Sequence, residues 1–189
     1  MAEDRTLHCR CGAMRWRIAD DARGTHAACY CADCQTFARH LGAGDDWLDA
    51  EGGTEVFQTV PHNLAFLAGE ENLALLRLSP KGMLRWHSAC CGTPIANTLA
   101  SPGLPFVGVV LPPGATGFGQ VSARVNTGSA RQLVRQSGTF GMVLGVLLRA
   151  IGARLMRRPR LAPFFRQDGS PVRAARILSA AERQAARPG

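Results

Sequence analysis

The chain has 189 residues, with 22 Lys/Arg against 14 Asp/Glu and a formal net charge of +8. Hydrophobic residues make up 46%, enough for a real core, which excludes wholesale disorder. The seven cysteines are an odd number, which argues against a closed disulfide framework, and their close spacings point to metal. No uncharged apolar run has the length of an ordinary transmembrane helix. The opening stretch MAEDRTLHCRCG does not read as a signal peptide, so a cytoplasmic location is expected.

Charge divides the chain in two. Residues 1–123 carry nine Lys/Arg and twelve Asp/Glu, a net −3, and contain every cysteine. Residues 124–189 carry thirteen Arg and two acids, a net +11. The expected organisation is a zinc-binding body over 1–123 and a basic, mainly helical extension over 124–189 packed on it. The Pro/Gly-rich stretch 112–128 forms the joint.

Within the body, Met14, Trp16 and Ile18 alternate with Arg15 and Arg17, the period of a half-buried strand. Cys31 to His40 reads as a short helix stopped by Gly42 and Gly44. Further strands are expected over Thr54 to Val60, Leu73 to Leu78, Met83 to Trp86 and Phe106 to Leu111. Short strands at this spacing predict a mainly β fold of antiparallel sheets. In the extension, Phe140 to Arg158 predicts a helix of four or five turns. Its expected buried face is Met142, Val143, Val146, Leu147, Ile151 and Leu155. Phe164 to Arg166 reads as a short extended piece, followed by a turn over residues 167–170. Ser179 and Glu182 have the spacing of a capping box that opens a last helix.

The chemistry lies in three cysteine clusters: Cys9-Arg10-Cys11-Gly12, then Cys29-Tyr30-Cys31-Ala32-Asp33-Cys34, then Cys90-Cys91-Gly92. Zinc takes four ligands in a tetrahedron and favours thiolate. The first and third clusters both end in Cys-Gly, where glycine permits the turn that aims two sulfurs at one ion. Together Cys9, Cys11, Cys90 and Cys91 make a closed, structural Cys₄ site. The middle cluster offers three sulfurs in six residues. Three protein ligands leave a fourth position open, the arrangement of catalytic zinc.

The order CxCG, then CxCxxC followed by Gln35, then Cys-Gly-Thr-Pro resembles the glutathione-dependent formaldehyde-activating family, which includes centromere protein V. The segments LHCRCGAMRW, CYCADCQTF and LRWHSACCGTPIANT carry the resemblance, over about residues 7–111. It implies a β-tent of small antiparallel sheets around a structural zinc held by Cys9, Cys11 and the third cluster. It also implies a second, catalytic-type zinc on Cys29, Cys31 and Cys34, and carbon–sulfur lyase activity on a glutathione–formaldehyde adduct. The chain departs from the family pattern in three places. Where the family's third motif is CxxCG, Ser88 stands at its first position and the extra Cys has moved to position 90. Phe37-Ala38-Arg39 replaces the family's Ser-Gly, and the extension has no counterpart in the short members.

Adjacent cysteines on an extended chain point to opposite sides, so Cys90 and Cys91 share a metal only across a tight turn. His87, three residues before Cys90, is the alternative ligand. For proton transfer, His26, Asp33 and His40 lie near the middle cluster, and Arg39 is placed to steady an anionic substrate such as glutathione. The competing reading is a non-enzymatic, zinc-stabilised binding module. Its basic extension would meet a protein or a membrane surface, and nucleic acid is not expected because aromatic residues for base stacking are few.

Overall fold

The structure is a computed structural model that describes residues 5–157 and 161–188. It is mainly β, with a helical C-terminal extension. The first sheet has three antiparallel strands: β1 (Thr6–His8), β2 (Arg15–Ile18) and β5 (Leu64–Ala68), with β2 in the middle. The alternation expected for β2 is present, since Trp16 and Ile18 are buried while Arg15 and Arg17 face solvent.

The second sheet has eight strands. Six belong to the body: β3 (Thr25–Cys29), β4 (Thr54–Thr59), β6 (Leu73–Arg77), β7 (Leu84–Ser88), β8 (Pro94–Thr98) and β9 (Val107–Val110). They pair antiparallel in the order β3-β4-β9-β8-β7-β6. β10 (Ala123–Val125) and β11 (Ala175–Ile177) add themselves at the two edges, each parallel to its neighbour. β10 and β11 thereby cover the edges of β3 and β6 and become the short, three-residue edge strands of the sheet, and short edges are poor templates for aggregation. β3 escapes a pattern reading because its sequence THAAC has two alanines; its pairing with β4 decides it.

Among the described residues, four α-helices complete the fold. α1 (Ala32–His40) follows the middle cysteine cluster, and α2 (Gly44–Trp47) is a single turn behind it. α3 (Thr139–Leu155) packs against β10, β3 and β4, and α4 (Ala180–Ala186) packs against α1. The capping box of α4 is formed on both sides, between Ser179 and Glu182. The turn over 167–170 is closed by Ser170 N–H donating to Asp168 Oδ1 at 2.8 Å. The extended piece before it is reduced to one bridge, Phe165 to Pro171.

The extension is part of the core. Phe164 is fully buried between Trp86, with ring centroids 4.9 Å apart, and Phe66, at 6.1 Å. The burial of α3 corrects the sequence expectation. Val143, Leu147, Ile151 and Leu155 are exposed, and Met142 and Val146 are half-buried. The face turned inward carries Gly145, Arg149, Ala150 and Ala153 instead, with both alanines buried. Arg149 Nη2 donates to Thr25 Oγ1 at 3.1 Å, and a Cβ at Gly145 would lie 3.3 Å from the same oxygen. Close approach of the backbone, not bulk, selects this face. The helix ends at Leu155; Arg158, its expected last residue, lies outside the described residues.

Candidate metal centres

The first and third cysteine clusters meet. The Sγ atoms of Cys9, Cys11, Cys90 and Cys91 all lie within 4.8 Å of one another. Four separations are 3.5 Å (Cys9–Cys11), 3.8 Å (Cys9–Cys90), 3.4 Å (Cys11–Cys90) and 3.9 Å (Cys90–Cys91). A tetrahedron with bonds of about 2.3 Å has sulfur–sulfur edges of about 3.8 Å. The four thiols therefore fit one zinc-sized ion, and all seven cysteines are free of disulfides.

Local chemistry explains the arrangement. The cysteine turns end on Gly12 (φ 76°) and Gly92 (φ 67°), the left-handed conformation that glycine adopts without penalty. At Gly92 a side chain is also excluded by space, because a Cβ would sit 2.5 Å from the Leu41 carbonyl oxygen. Gly92 N–H donates to Ser88 O at 2.9 Å and closes the tight turn that lets adjacent Cys90 and Cys91 face one point. Arg10 ties the two clusters together, with Nη2 on the Cys91 carbonyl at 2.5 Å and Nη1 paired to Asp46 at 3.0 Å. Ser88, at the place where the resembled family has cysteine, lies with its Oγ 3.3 Å from Cys91 Sγ, and Thr93 Oγ1 lies 3.2 Å from the same sulfur. Burial opposes ionisation of Cys91, yet these hydroxyls together with hydrogen bonds from Cys11 outweigh it and bring the thiol down to about 5. Desolvation and the neighbouring thiols Cys11, Cys9 and Cys91 push Cys90 up to about 12.

His87 is not among these residues, which corrects its alternative role. Its ring meets Phe37 edge-on, with centroids 6.4 Å apart, and its Nδ1 is buried without a hydrogen-bond partner. Burial lowers its pKa to about 4.

The middle cluster forms a second group. The Sγ atoms of Cys29, Cys31 and Cys34 also lie within 4.8 Å of one another, with Cys29–Cys31 at 3.5 Å. β3 ends on Cys29, and Cys31 is the N-cap of α1, its sulfur accepting from Cys34 N–H at 3.4 Å. No fourth Cys, His or carboxylate joins them among the described residues. The three thiols line a cavity of about 260 Å³ together with Asp33, Gln58, Arg85, Asn97, Asn126 and Met142.

Several of these residues carry no local sequence signal. Arg85 is 4% exposed and lies between buried Leu84 and Trp86 on β7. Its guanidinium stands over the Phe37 ring at 5.4 Å, donates to Asn97 Oδ1 at 3.3 Å and approaches Cys34 Sγ at 3.9 Å. Asn126 Nδ2 donates to Cys29 Sγ at 3.3 Å from a left-handed backbone (φ 55°), a conformation asparagine tolerates better than most residues. Gln58 also lines the cavity, with its Oε1 buried out of reach of solvent and without a protein donor.

Without metal, hydrogen bonding to Cys31 and burial hold the Cys29 thiol above its ordinary value, against Cys34 and Asn126. At Cys31 the bond with Cys29 pulls down, but Cys34 and burial win and push it up to about 11. Cys29 and burial likewise push Cys34 up to about 11, against Cys31 and Arg85. Three crowded thiols resist becoming three thiolates, and a bound cation would offset that repulsion.

Of the polar residues expected near this cluster, only Asp33 reaches the cavity, where its carboxylate lies 3.8 Å from Arg85. His26 is spent elsewhere, with its ring nitrogens 2.8 Å from Glu55 Oε2 and 2.8 Å from the Gly119 carbonyl oxygen. His40 faces Arg176 of the extension at 3.5 Å, and Arg39 donates to the Arg187 carbonyl at 3.1 Å. These three are corrected to structural contacts. Gln35 is structural too: it is fully buried and donates to Tyr30 O at 3.1 Å and Ser129 O at 2.7 Å, which fastens the cysteine loop to the start of the extension.

Among solved structures, a crystal structure of a Rhodobacter sphaeroides protein matches at 19% identity and a TM-score of 0.41, over 61% of this chain and 96% of that one. None of the curated proteins matches. Residues 1–124, which contain both cysteine groups, match the family DUF6151, described as a family of unknown function, and the chain belongs to it.

Proposed function

We propose that this protein is a zinc-dependent carbon–sulfur lyase acting on a thiol–aldehyde adduct of the glutathione type. The resembled formaldehyde-activating family places such chemistry on the matching cysteines. The observation that carries the reading is the three-thiol group of Cys29, Cys31 and Cys34, which opens onto a cavity instead of being closed by a fourth protein ligand. Cys9, Cys11, Cys90 and Cys91 would hold the structural zinc.

Zinc bound to the three thiolates would supply a position for a fourth, exchangeable sulfur. Three thiolates on a divalent cation leave a net −1, which disfavours water activation and suits thiolate exchange. Arg85, buried beside Cys34, balances that charge. In a hemithioacetal the reacting carbon carries both sulfur and a hydroxyl. The Asp33 carboxylate at the cavity wall takes the proton of that hydroxyl. The carbon–oxygen double bond forms as the carbon–sulfur bond breaks, and the electron pair leaves on sulfur as thiolate. The reverse sequence assembles the adduct.

The test is to load the protein with zinc, add glutathione and formaldehyde, and follow adduct formation beside a Cys31→Ser control. A rate at least about tenfold above the control supports the reading. Equal rates in the two proteins overturn it, as does failure of the reduced protein to take up a second zinc.

A further inference from the structure

We infer that α3 is a docking element that lies flat on an anionic lipid surface. Phe140, Leu144, Leu147, Leu148, Ile151 and Leu155 are all exposed, from 42% at Leu144 to 82% at Phe140. At 100° per residue they occupy one arc of about 100° on the helix, a continuous outward stripe. The fold fixes that orientation. The opposite face is held by Arg149 on Thr25, by buried Ala150 and Ala153, and by Gly138 at the N-cap, where a Cβ would lie 2.3 Å from the Ser122 carbonyl oxygen. The helix has no freedom to roll its large side chains under cover.

The surrounding charge selects the occupant. Residues 124–167 contain nine arginines and no acidic residue. Arg131 and Arg135 stand exposed before the helix, and Arg154 and Arg157 stand exposed at its end. The carboxylate of Asp21 lies in the cavity beneath the helix, where Arg23 and Arg149 accompany it. An apolar stripe flanked by arginine suits a bilayer whose headgroups are negative, each cation near the surface contributing about 1 kcal/mol.

Among the described residues α3 is too short to favour spanning. Seventeen residues rise about 25 Å, short of a hydrocarbon core of about 30 Å, and no described helix is long and apolar enough to cross a membrane. A second copy of the chain fits less well. A twofold contact would bring like arginine flanks together.

The experiment is co-sedimentation of the full, zinc-loaded chain with phosphatidylcholine vesicles, with and without phosphatidylglycerol. Binding to the anionic vesicles should exceed binding to the neutral ones by at least about tenfold. The double substitution Leu147→Glu, Ile151→Glu changes only exposed positions and should cut binding by about a hundredfold while zinc content and circular dichroism stay unchanged. A triple change of Arg131, Arg135 and Arg157 to Gln should remove the preference for anionic vesicles. Equal binding by the double variant, or no binding to anionic vesicles, overturns the inference. So does a dimer in analytical ultracentrifugation that the double variant dissociates, because the occupant is then a second copy.

Discussion

Arg85 Nη1 lies 3.9 Å from Cys34 Sγ across 51 residues of sequence, with its guanidinium almost wholly removed from solvent. A buried cation beside three thiols would be a fixed counter-charge if those thiols held a divalent metal as thiolates. Replacing Arg85 with Met keeps the packing on Phe37 but removes the charge. Zinc affinity at the three-thiol group should fall by 10- to 100-fold, roughly what loss of a supporting residue costs a metal site. Competition with a chromophoric chelator measures this. An unchanged affinity means that Arg85 only fills space.

The four-thiol group predicts a different response. Cys11 is exposed, so Cys11→Ser removes a ligand without cutting a hole in the core. Because metal binding and folding are linked, this variant should lose one zinc per chain and melt at least about 10 °C lower. His87→Ala should leave the zinc content unchanged, since that ring packs on Phe37. Metal analysis and calorimetry of the two variants decide between them.

Zinc uptake should depend steeply on pH at the middle cluster. With the metal-free Cys31 and Cys34 thiols at about 11 and Cys29 also raised, all three are protonated at neutral pH. Binding must expel those protons, so affinity rises with pH below that range, by up to about tenfold per unit for each proton released. Cys91, held at about 5, has no proton to give at neutral pH. Titration calorimetry in buffers of different ionisation enthalpy should count about three protons per zinc at the middle cluster. Release of none would mean that the thiols are already ionised.

The extension should be indispensable to the body. Phe164 fills the space between Trp86 and Phe66, and deleting such a ring costs about 3–5 kcal/mol. Phe164→Ala should lower the melting point by about 10 °C, and truncation after Gly128 should give an aggregating or destabilised protein. Truncation also removes β11 from the edge of β6 and Met142 from the cavity. A truncated chain that melts like the full one would contradict this.

The local signals of the sequence carried far. Alternation fixed β2, the Ser179–Glu182 spacing fixed the start of α4, and the Cys-Gly turns marked both halves of the four-thiol group. Each depends on residues a few positions apart, where geometry follows from the backbone alone. The tertiary structure decided everything that depends on residues brought together from afar. Arg85, Asn126 and Met142 reach the three thiols from β7, the joint and α3, and nothing in their own neighbourhoods announces it. The three-residue strands β10 and β11 are too short to show a period; their positions follow from the open edges of β3 and β6. The face of α3 is the sharpest case. Its apolar residues predicted a helix, but periodicity ranks side chains by bulk and cannot see the partner surface. The body accepts a close backbone approach at Gly145, Ala150 and Ala153, and so it turned Leu147 and Ile151 outward.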